Sequence, residues 1–301
     1  MKKTIGIDIG GTKIAAGIVY ENGEMEHVTV IPSDSESREG MFESLTQAVD
    51  QVIESADLAD SEISFGIGVP GLVDSENGIA IFQNNLPWEN FPLKERLLEK
   101  YPNCQKISMN NDVYQAALAE WFSANLTQKD TLVFFTLSTG VSTAIVRGGE
   151  FLKGAGFAGE VGLLPIAKNE KGDWIRMEQL TSGNALADIA RTSYNDGMID
   201  GEELFARYYK KDSLAISIID EWAERISLGL YTVIAMLDPE KIVLGGSVIQ
   251  KNPKILILIK EKLKPLLIEV QKDSLEKVTV TELNNQAGLL GAGFSGIYQG
   301  E

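Results

Sequence analysis

Two stretches of this chain are built alike, and together they limit what it can fold into. Residues 4–20, TIGIDIGGTKIAAGIVY, and residues 131–151, TLVFFTLSTGVSTAIVRGGEF, each read as strand, small-residue turn, strand. Placed so that Thr12 meets Thr139, Ile18-Val19 also meets Ile145-Val146. Each hairpin leads into strands and helices in alternation. Behind the first come a strand at 28–32, a helix at 41–56 on the spacing Met41, Leu45, Val49, Val52, a strand at 63–74, a helix at 92–101, a strand at 106–112 and a helix at 113–124. Behind the second come helices at 183–194, 202–209, 213–237 and 254–270, strands at 241–246 and 278–283, and a closing helix at 284–298. A repeated, hairpin-led α/β unit in 301 residues predicts two related α/β domains with a cleft between them. The expected division is 1–117 plus 286–301 for a smaller N-terminal domain, and 118–285 for a larger C-terminal one.

Charge and composition remove several function classes. The formal net charge is −16, which sets the chain against nucleic acid and anionic membrane. There is one cysteine, Cys104, and one histidine, His27, so an internal disulfide is impossible and a Cys/His zinc site is nearly excluded. His27 follows a turn and reads as a surface strand residue. Any general base is therefore a carboxylate, Lys, Tyr or Cys. The start, MKKTIGIDIGG, lacks the apolar run of a signal peptide, and no segment of about 18 apolar residues occurs. The expectation is a cytoplasmic protein with no membrane partner. The Lys-bearing segment 254–270 reads as an amphipathic helix covering the core.

Four motifs carry possible chemistry. In the first hairpin, Gly10 and Gly11 let the backbone approach a phosphate, Thr12 and Lys13 add donors, and Asp8 at the strand end could hold Mg2+ through water. A simple Gly-Gly turn with a solvated Asp8 explains the same residues. Asp112, after Asn110-Asn111, sits where a strand leads into a helix, the place where open α/β sheets take ligands; a helix-capping Asp is the alternative. Glu160 lies within GAGFAGEVG, and Glu178 precedes a helix start; two anionic acceptors suit sugar hydroxyls, while a solvated Glu is the plainer explanation for Glu178. Finally, a buried strand runs into Gly245-Gly246-Ser247, against which a nucleotide base or ribose could lie, or which is only a strand-end turn.

The order of these motifs says more than any one of them. Asp8-x-Gly-Gly-Thr-Lys, Gly68-x-Pro70-Gly71-x-x-Asp74, Asn85-Leu86-Pro87-Trp88 with Pro92-Leu93, Asn111-Asp112, Ser138-Thr139-Gly140, GFAGEVG, Glu178-x-x-x-Ser182-Gly183, DPEKIVLGGS and AGLLGAG follow one another. This succession resembles the ROK (repressor, open reading frame, kinase) family of sugar kinases over nearly the whole chain. The resemblance implies two ribonuclease-H-like domains of the actin-like ATPase superfamily, with ATP and a sugar in the interdomain cleft, and a homodimer. It implies Asp112 as the catalytic base and Gly71, Asn85, Asn111, Asp112, Glu160 and Glu178 as sugar ligands. Asp8, Gly10, Gly11, Thr12, Lys13, Thr139 and Gly140 match its phosphate motifs, and Gly245-Gly246 its adenosine motif. Mg2+ would accompany ATP.

The sequence departs from that pattern in four places. Leu163 follows Gly162 where many relatives have His, and 167–177 has no cysteine, so no structural zinc is expected. Leu163 leaves glucose specificity open and would suit an N-acetyl or aglycone group. STGVST is poorer in glycine than the usual second phosphate loop, and the hydroxyls of Ser142 and Thr143 are expected to meet a phosphate instead. Tyr114 and Gln115 follow Asn-Asp where small residues or Asn are usual, and Gln286 stands where Asp is common. The expected activity is an ATP-dependent kinase for a hexose or hexose derivative: glucose by default, with fructose, N-acetylmannosamine or a β-glucoside open. A non-catalytic sugar sensor on the same fold is the alternative; a nucleotide-binding structural protein is disfavoured by Asp112, Glu160 and Glu178.

Overall fold

The structure, a computed structural model, describes every residue except Asp60, Asn84, Asn85, Asn284, Asn285, Gly300 and Glu301. It divides into two compact units, Met1–Leu126 with Leu283–Glu301, and Thr127–Glu282.

The first unit runs β1 (Lys3–Ile9), β2 (Lys13–Tyr20), β3 (Met25–Pro32), α1 (Arg38–Ser55), β4 (Ile63–Val69), β5 (Leu72–Asp74), β6 (Ile79–Phe82), β7 (Glu89–Phe91), α2 (Leu93–Lys100), β8 (Cys104–Asn111) and α3 (Asp112–Ser123). Its main sheet has the order β3-β2-β1-β4-β8. The β1–β2 hairpin is antiparallel, with Ile5 opposite Ile18 and Ile9 opposite Ile14. β4 joins β1 in parallel, with Asp8 beside Gly68, and β8 joins β4 with Asn111 beside Val69. Parallel pairing needs a crossover, which α1 supplies between β3 and β4. The Ser37 side chain accepts from the Gly40 N–H at 3.0 Å and caps α1, whose buried stripe is Met41, Phe42, Leu45, Ala48, Val49 and Val52. His27 lies exposed on β3.

The second unit repeats the plan. It runs β9 (Thr131–Leu137), β10 (Val141–Arg147), β11 (Glu150–Phe151), β12 (Pro165–Lys168), β13 (Trp174–Arg176), α4 (Glu178–Thr181), α5 (Gly183–Tyr194), α6 (Gly201–Tyr209), α7 (Ser213–Leu237), β14 (Lys241–Gly245), α8 (Ser247–Lys251), α9 (Leu256–Leu263), α10 (Ser274–Lys277) and β15 (Val278–Val280). The sheet order is β11-β10-β9-β14-β15, again a hairpin followed by two parallel strands. α7 buries Ile218, Ile219, Trp222, Ile226 and Leu230 against this core.

The last helix, α11 (Ala287–Tyr298), returns to the first unit and lies on β1, β4 and α3. Its approach is close enough to require glycine on both sides. A Cβ on Gly66 of β4 would stand 1.7 Å from the Ala292 carbonyl oxygen, and one on Gly291 the same 1.7 Å from the Gln115 carbonyl oxygen. The Gly-rich, apolar composition of this segment is thus a packing device: bare backbone at Gly291 lets the helix close on α3, and at Gly293 and Gly296 on the sheet.

Three details differ from the sequence reading. Segment 254–270 is not one helix: a 3-10 turn Pro253–Ile255 leads into α9, a second 3-10 turn Lys264–Leu266 follows, and the chain is extended at Leu267. Pro265 has no N–H to offer and its ring crowds the preceding turn. The units part at 126/127 and 282/283, where 117/118 and 285/286 were expected; a break at 117 would cut α3, whose apolar side is held by α11. The short β5-β6-β7 sheet, inserted after β4, was not foreseen.

Candidate active site

In the first unit the candidate residues gather at the C-terminal ends of β1, β4 and β8. Tight pairing there is closed by the Gly10–Thr12 turn. The Gly10 N–H donates to the Lys13 carbonyl (3.0 Å), and Ser33 ties the turn down by donating its hydroxyl to the Gly10 carbonyl (2.6 Å). The Gly10 donor is therefore spent inside the turn, while Thr12 and Lys13 are exposed.

Asp8 stands just before this turn. Its carboxyl is enclosed by two glycines: a Cβ on Gly288 would come within 2.5 Å of Oδ2, and one on Gly68 within 3.5 Å of Oδ1. Burial, and next the Asp112 charge, push its pKa up to about 6, with Lys13 pulling the other way. A single carboxylate contact, made through water, is enough for a hydrated Mg2+, which keeps most of its own water. Among the described residues no cluster of three or more His, Cys, Asp or Glu is arranged to hold a metal.

Asn111 and Asp112 divide the labour at the start of α3. Asn111, not Asp112, is the cap: its Oδ1 accepts from the Val113 N–H at 2.9 Å. Its Nδ2 donates to the Gly71 carbonyl at 2.7 Å. Gly71 has φ +83°, and a Cβ there would meet the Phe82 carbonyl at 2.4 Å, so the residue makes a turn that only glycine fits. Asp112 is the first residue of the helix, and its Oδ1 also accepts from the Val113 N–H (3.0 Å). Burial raises its pKa above the usual carboxylate range, against the pull of backbone N–H groups. Asn85 lies outside the described residues.

In the second unit the ends of β9 and β14 and the start of α5 converge on Ser138. The Ser138 N–H donates to the Gly140 carbonyl (3.0 Å), closing the turn, and the Gly183 N–H donates to the Ser138 carbonyl (2.7 Å). The Ser138 and Ser247 hydroxyls are 3.1 Å apart. Gly246, at φ +85°, has no room for a Cβ, which would stand 2.3 Å from the Leu137 carbonyl; Gly245 lies against the Phe134 ring. Thr139 is the exposed tip.

STGVST is tied to the two glutamates rather than open to a ligand along its length. The Val141 N–H donates to Glu178 Oε2 at 2.8 Å, and a Cβ on Gly140 would be 2.6 Å from that same oxygen. The Ser142 hydroxyl donates to Glu160 Oε2 (3.4 Å), and the buried Thr143 hydroxyl donates to the Gly159 carbonyl (2.6 Å). Both hydroxyls, expected to meet a phosphate, have protein partners here, and they hold GFAGEVG to β10. Desolvation raises the Glu160 pKa, Ser142 lowers it, and the Glu178 charge raises it again. Leu163 follows Glu160 by one 3-10 turn, its N–H on the Glu160 carbonyl (3.0 Å), and is 43% exposed.

Sequence reading missed Gln115, Gly68 and Gly288 around Asp8, and the bond from Glu178 to Val141. AGLLGAG was noticed as a motif, yet nothing local ties Gly288 to Asp8, which lies at the other extreme of the sequence.

Two units with one sheet order, each opened by a hairpin with a small-residue tip, define the actin-like ATPase fold. The family model described as ROK family matches residues 4–294, and the chain belongs to the ROK family. It is 27% identical to the glucokinase of Halalkalibacterium halodurans, covering 96% of this chain and 93% of that one. Among solved structures, the ROK hexokinase from Thermus thermophilus is 28% identical with a TM-score of 0.83, covering 98% of both chains. The ROK family glucokinase from Streptomyces griseus, in complex with glucose and AMPPNP, is 28% identical with a TM-score of 0.75, covering 97% of this chain and 98% of that one. Among the described residues no helix is long and apolar enough to cross a membrane.

Proposed function

We propose that this chain is an ATP-dependent sugar kinase that phosphorylates a hydroxyl of a hexose or hexose derivative. One observation carries the reading: Asp8 and Asp112 stand at the ends of β1 and β8, on either side of β4, and each is held above the usual carboxylate range. Structural carboxylates are not ordinarily kept so; groups that move protons or hold cations are. Asp112 accepts the proton of the attacking sugar hydroxyl. Burial raises its affinity for that proton, and since phosphoryl transfer is loose, a modest base in the right place suffices. Asn111 cannot swing freely, because both ends of its amide are engaged; it orients Asp112 and the Gly71 turn and offers its remaining N–H to the sugar. Glu160 and Glu178 accept sugar hydroxyls, with Ser142 and the Val141 N–H holding them in place. Thr139 and Gly140 with Gly10, Gly11, Thr12 and Lys13 receive the phosphates, and Gly245 and Gly246 receive the adenosine. Mg2+ bound through water at Asp8 would neutralise charge on the phosphates. The protein works as a cytoplasmic homodimer without structural zinc.

The test is a coupled ADP-release assay over hexoses, N-acetylhexosamines and β-glucosides, with Asp112→Asn beside the native protein. We expect turnover on one class and a loss of about 100-fold or more in the variant. Sugar binding without turnover on any member would leave a sensor in place of the kinase. Full activity in Asp112→Asn would remove the assigned base.

A further inference from the structure

The short strand β5 lies against the end of β8 and is tied to it on both sides of its own length. Just before β5, the Gly71 carbonyl accepts from Asn111 Nδ2 at 2.7 Å. Just after it, the Ser75 hydroxyl donates to Asn110 Oδ1 at 3.0 Å. Asn110 and Asn111 are the last two residues of β8. Successive residues of a strand point to opposite faces, so the two ties come from the two faces of the sheet. The Asn110 face is the one that α11 covers. Ser108, two residues back, shares a hydrogen bond with Ser295 of α11, and Asn110 Nδ2 donates to the same Ser295 oxygen at 3.5 Å. All three side chains are buried. One tie alone would leave the β5–β6 hairpin able to turn about it; two, from opposite faces, set its direction as well as its place. What they hold is the Gly71 turn. Gly71 is exposed and its carbonyl is engaged by Asn111, so its N–H is the group it can offer a ligand. Among the described residues no acceptor meets that N–H.

We infer that Asn110 is a positioning residue for sugar binding: through Ser75 it holds the β5–β6 hairpin in the direction that turns the Gly71 N–H toward a sugar hydroxyl. Asn111 sets where the Gly71 turn sits, and Asn110 sets which way it faces. Neither Asn110 nor Ser75 takes part in the transfer, so the pair acts on how tightly the sugar is held and not on how fast it reacts. This inference rests on the kinase reading, since it needs a sugar at Gly71.

Substitutions on both sides of the tie test it. Ser75→Ala removes the donor, and Ser75→Thr puts a hydroxyl back. Asn110→Ala removes the acceptor, while Ser295→Ala cuts only the link to α11. Ser75 is half-buried in a turn, so its two variants stand as a test even where Asn110→Ala fails to fold. Steady-state kinetics with MgATP are read on glucose, fructose, N-acetylmannosamine and methyl β-glucoside, alongside the Tm. On the sugar that the native protein phosphorylates, KM should rise about fivefold in Ser75→Ala and in Asn110→Ala, the worth of one neutral hydrogen bond. Their kcat and MgATP KM should stay within about twofold of native. The double variant should be no worse than Asn110→Ala, because both changes cut one bond. Ser75→Thr should return the sugar KM to native, and Ser295→Ala should lower the Tm and leave that KM alone. A sugar KM within about twofold of native in Ser75→Ala overturns the inference while leaving the kinase reading intact. So does a Ser295→Ala protein whose sugar KM rises as far as that of Asn110→Ala, since loosened packing would then explain both. A native protein that phosphorylates none of these sugars overturns both readings.

Discussion

Replacing Asp8 with asparagine exchanges an enclosed carboxylate for a neutral side chain of the same shape. Burial and the Asp112 charge raise the Asp8 pKa from 3.8 to about 6. The folded protein therefore binds this proton more tightly than the unfolded chain does. Well below pH 3.8 both states are protonated and the ionised form costs nothing. As pH rises from there through about 6, the unfolded chain releases its proton first, and the fold loses stability. At neutral pH the ionised carboxylate costs the apo fold about 3 kcal/mol, each tenfold difference in proton affinity between the two states being worth about 1.4 kcal/mol. Asp8→Asn should escape that cost. Thermal unfolding of both proteins, free of nucleotide and metal, at about pH 4.5, 6 and 7.5 reads the difference. With roughly 2–4 °C per kcal/mol for a domain of this size, the variant should melt about 6–12 °C higher at the top of the range and only about 2–4 °C higher at the bottom. The transition to follow is that of the unit containing Asp8, since two units need not unfold together. The same variant should lose most of its MgATP affinity. A gap that does not grow with pH, or a variant less stable than native at neutral pH and above, would refute the reasoning, because an Asp8 that costs nothing is not being held for a cation.

Three further substitutions separate roles within the site. Glu178→Gln weakens a charge-assisted bond to the Val141 N–H and, on the proposed assignment, the contact to the sugar; the sugar KM should rise about tenfold with kcat little changed, read by steady-state kinetics. Thr143→Val removes the bond to the Gly159 carbonyl; urea unfolding should show a loss of about 1 kcal/mol, and an unchanged KM for ATP would support a hydroxyl that faces the loop and not a phosphate. Gly66→Ala drives a methyl into the Ala292 carbonyl and should cost about 3 kcal/mol or more in the same measurement; a smaller effect would mean that α11 can lift off the sheet at little cost.

The hairpins, the parallel strands and the long helices were legible because each is a local matter: apolar alternation, a small-residue tip, a 3.6-residue stripe. Asp112 was legible too, through its neighbours Asn110 and Asn111 at a strand end. The choice between cap and base was not: both side chains accept from the Val113 N–H, Asn111 from the cap position and Asp112 from the first residue of the helix, and only the backbone geometry tells them apart. Ser142 and Thr143 were read as phosphate donors because a hydroxyl's partner is set by whatever the fold brings to it. Here that is Gly159 and Glu160, many residues on. Asp8 shows the same limit. Its sequence neighbours suggest a solvated strand end, while the groups that shape its surroundings, Gly68, Asp112 and Gly288, come from three other elements.

The first unit is interrupted, and its missing piece is α11. During synthesis the sheet β3-β2-β1-β4-β8 is made early, but the helix that covers β1 and β4 on one side is made only after all of the second unit. Domains commonly fold in the order they are translated. This chain cannot follow that order: its continuous second unit is able to finish while the first still exposes the surface that α11 takes. That surface includes Gly6, Val19 and Gly66 on the sheet and Phe122 on α3, whose ring meets that of Phe294. Gly288, which closes on Asp8, arrives with α11 as well. The surroundings of Asp8 are thus completed last on the ribosome, and a chain truncated before α11 is left with an uncovered sheet face for chaperones to shield.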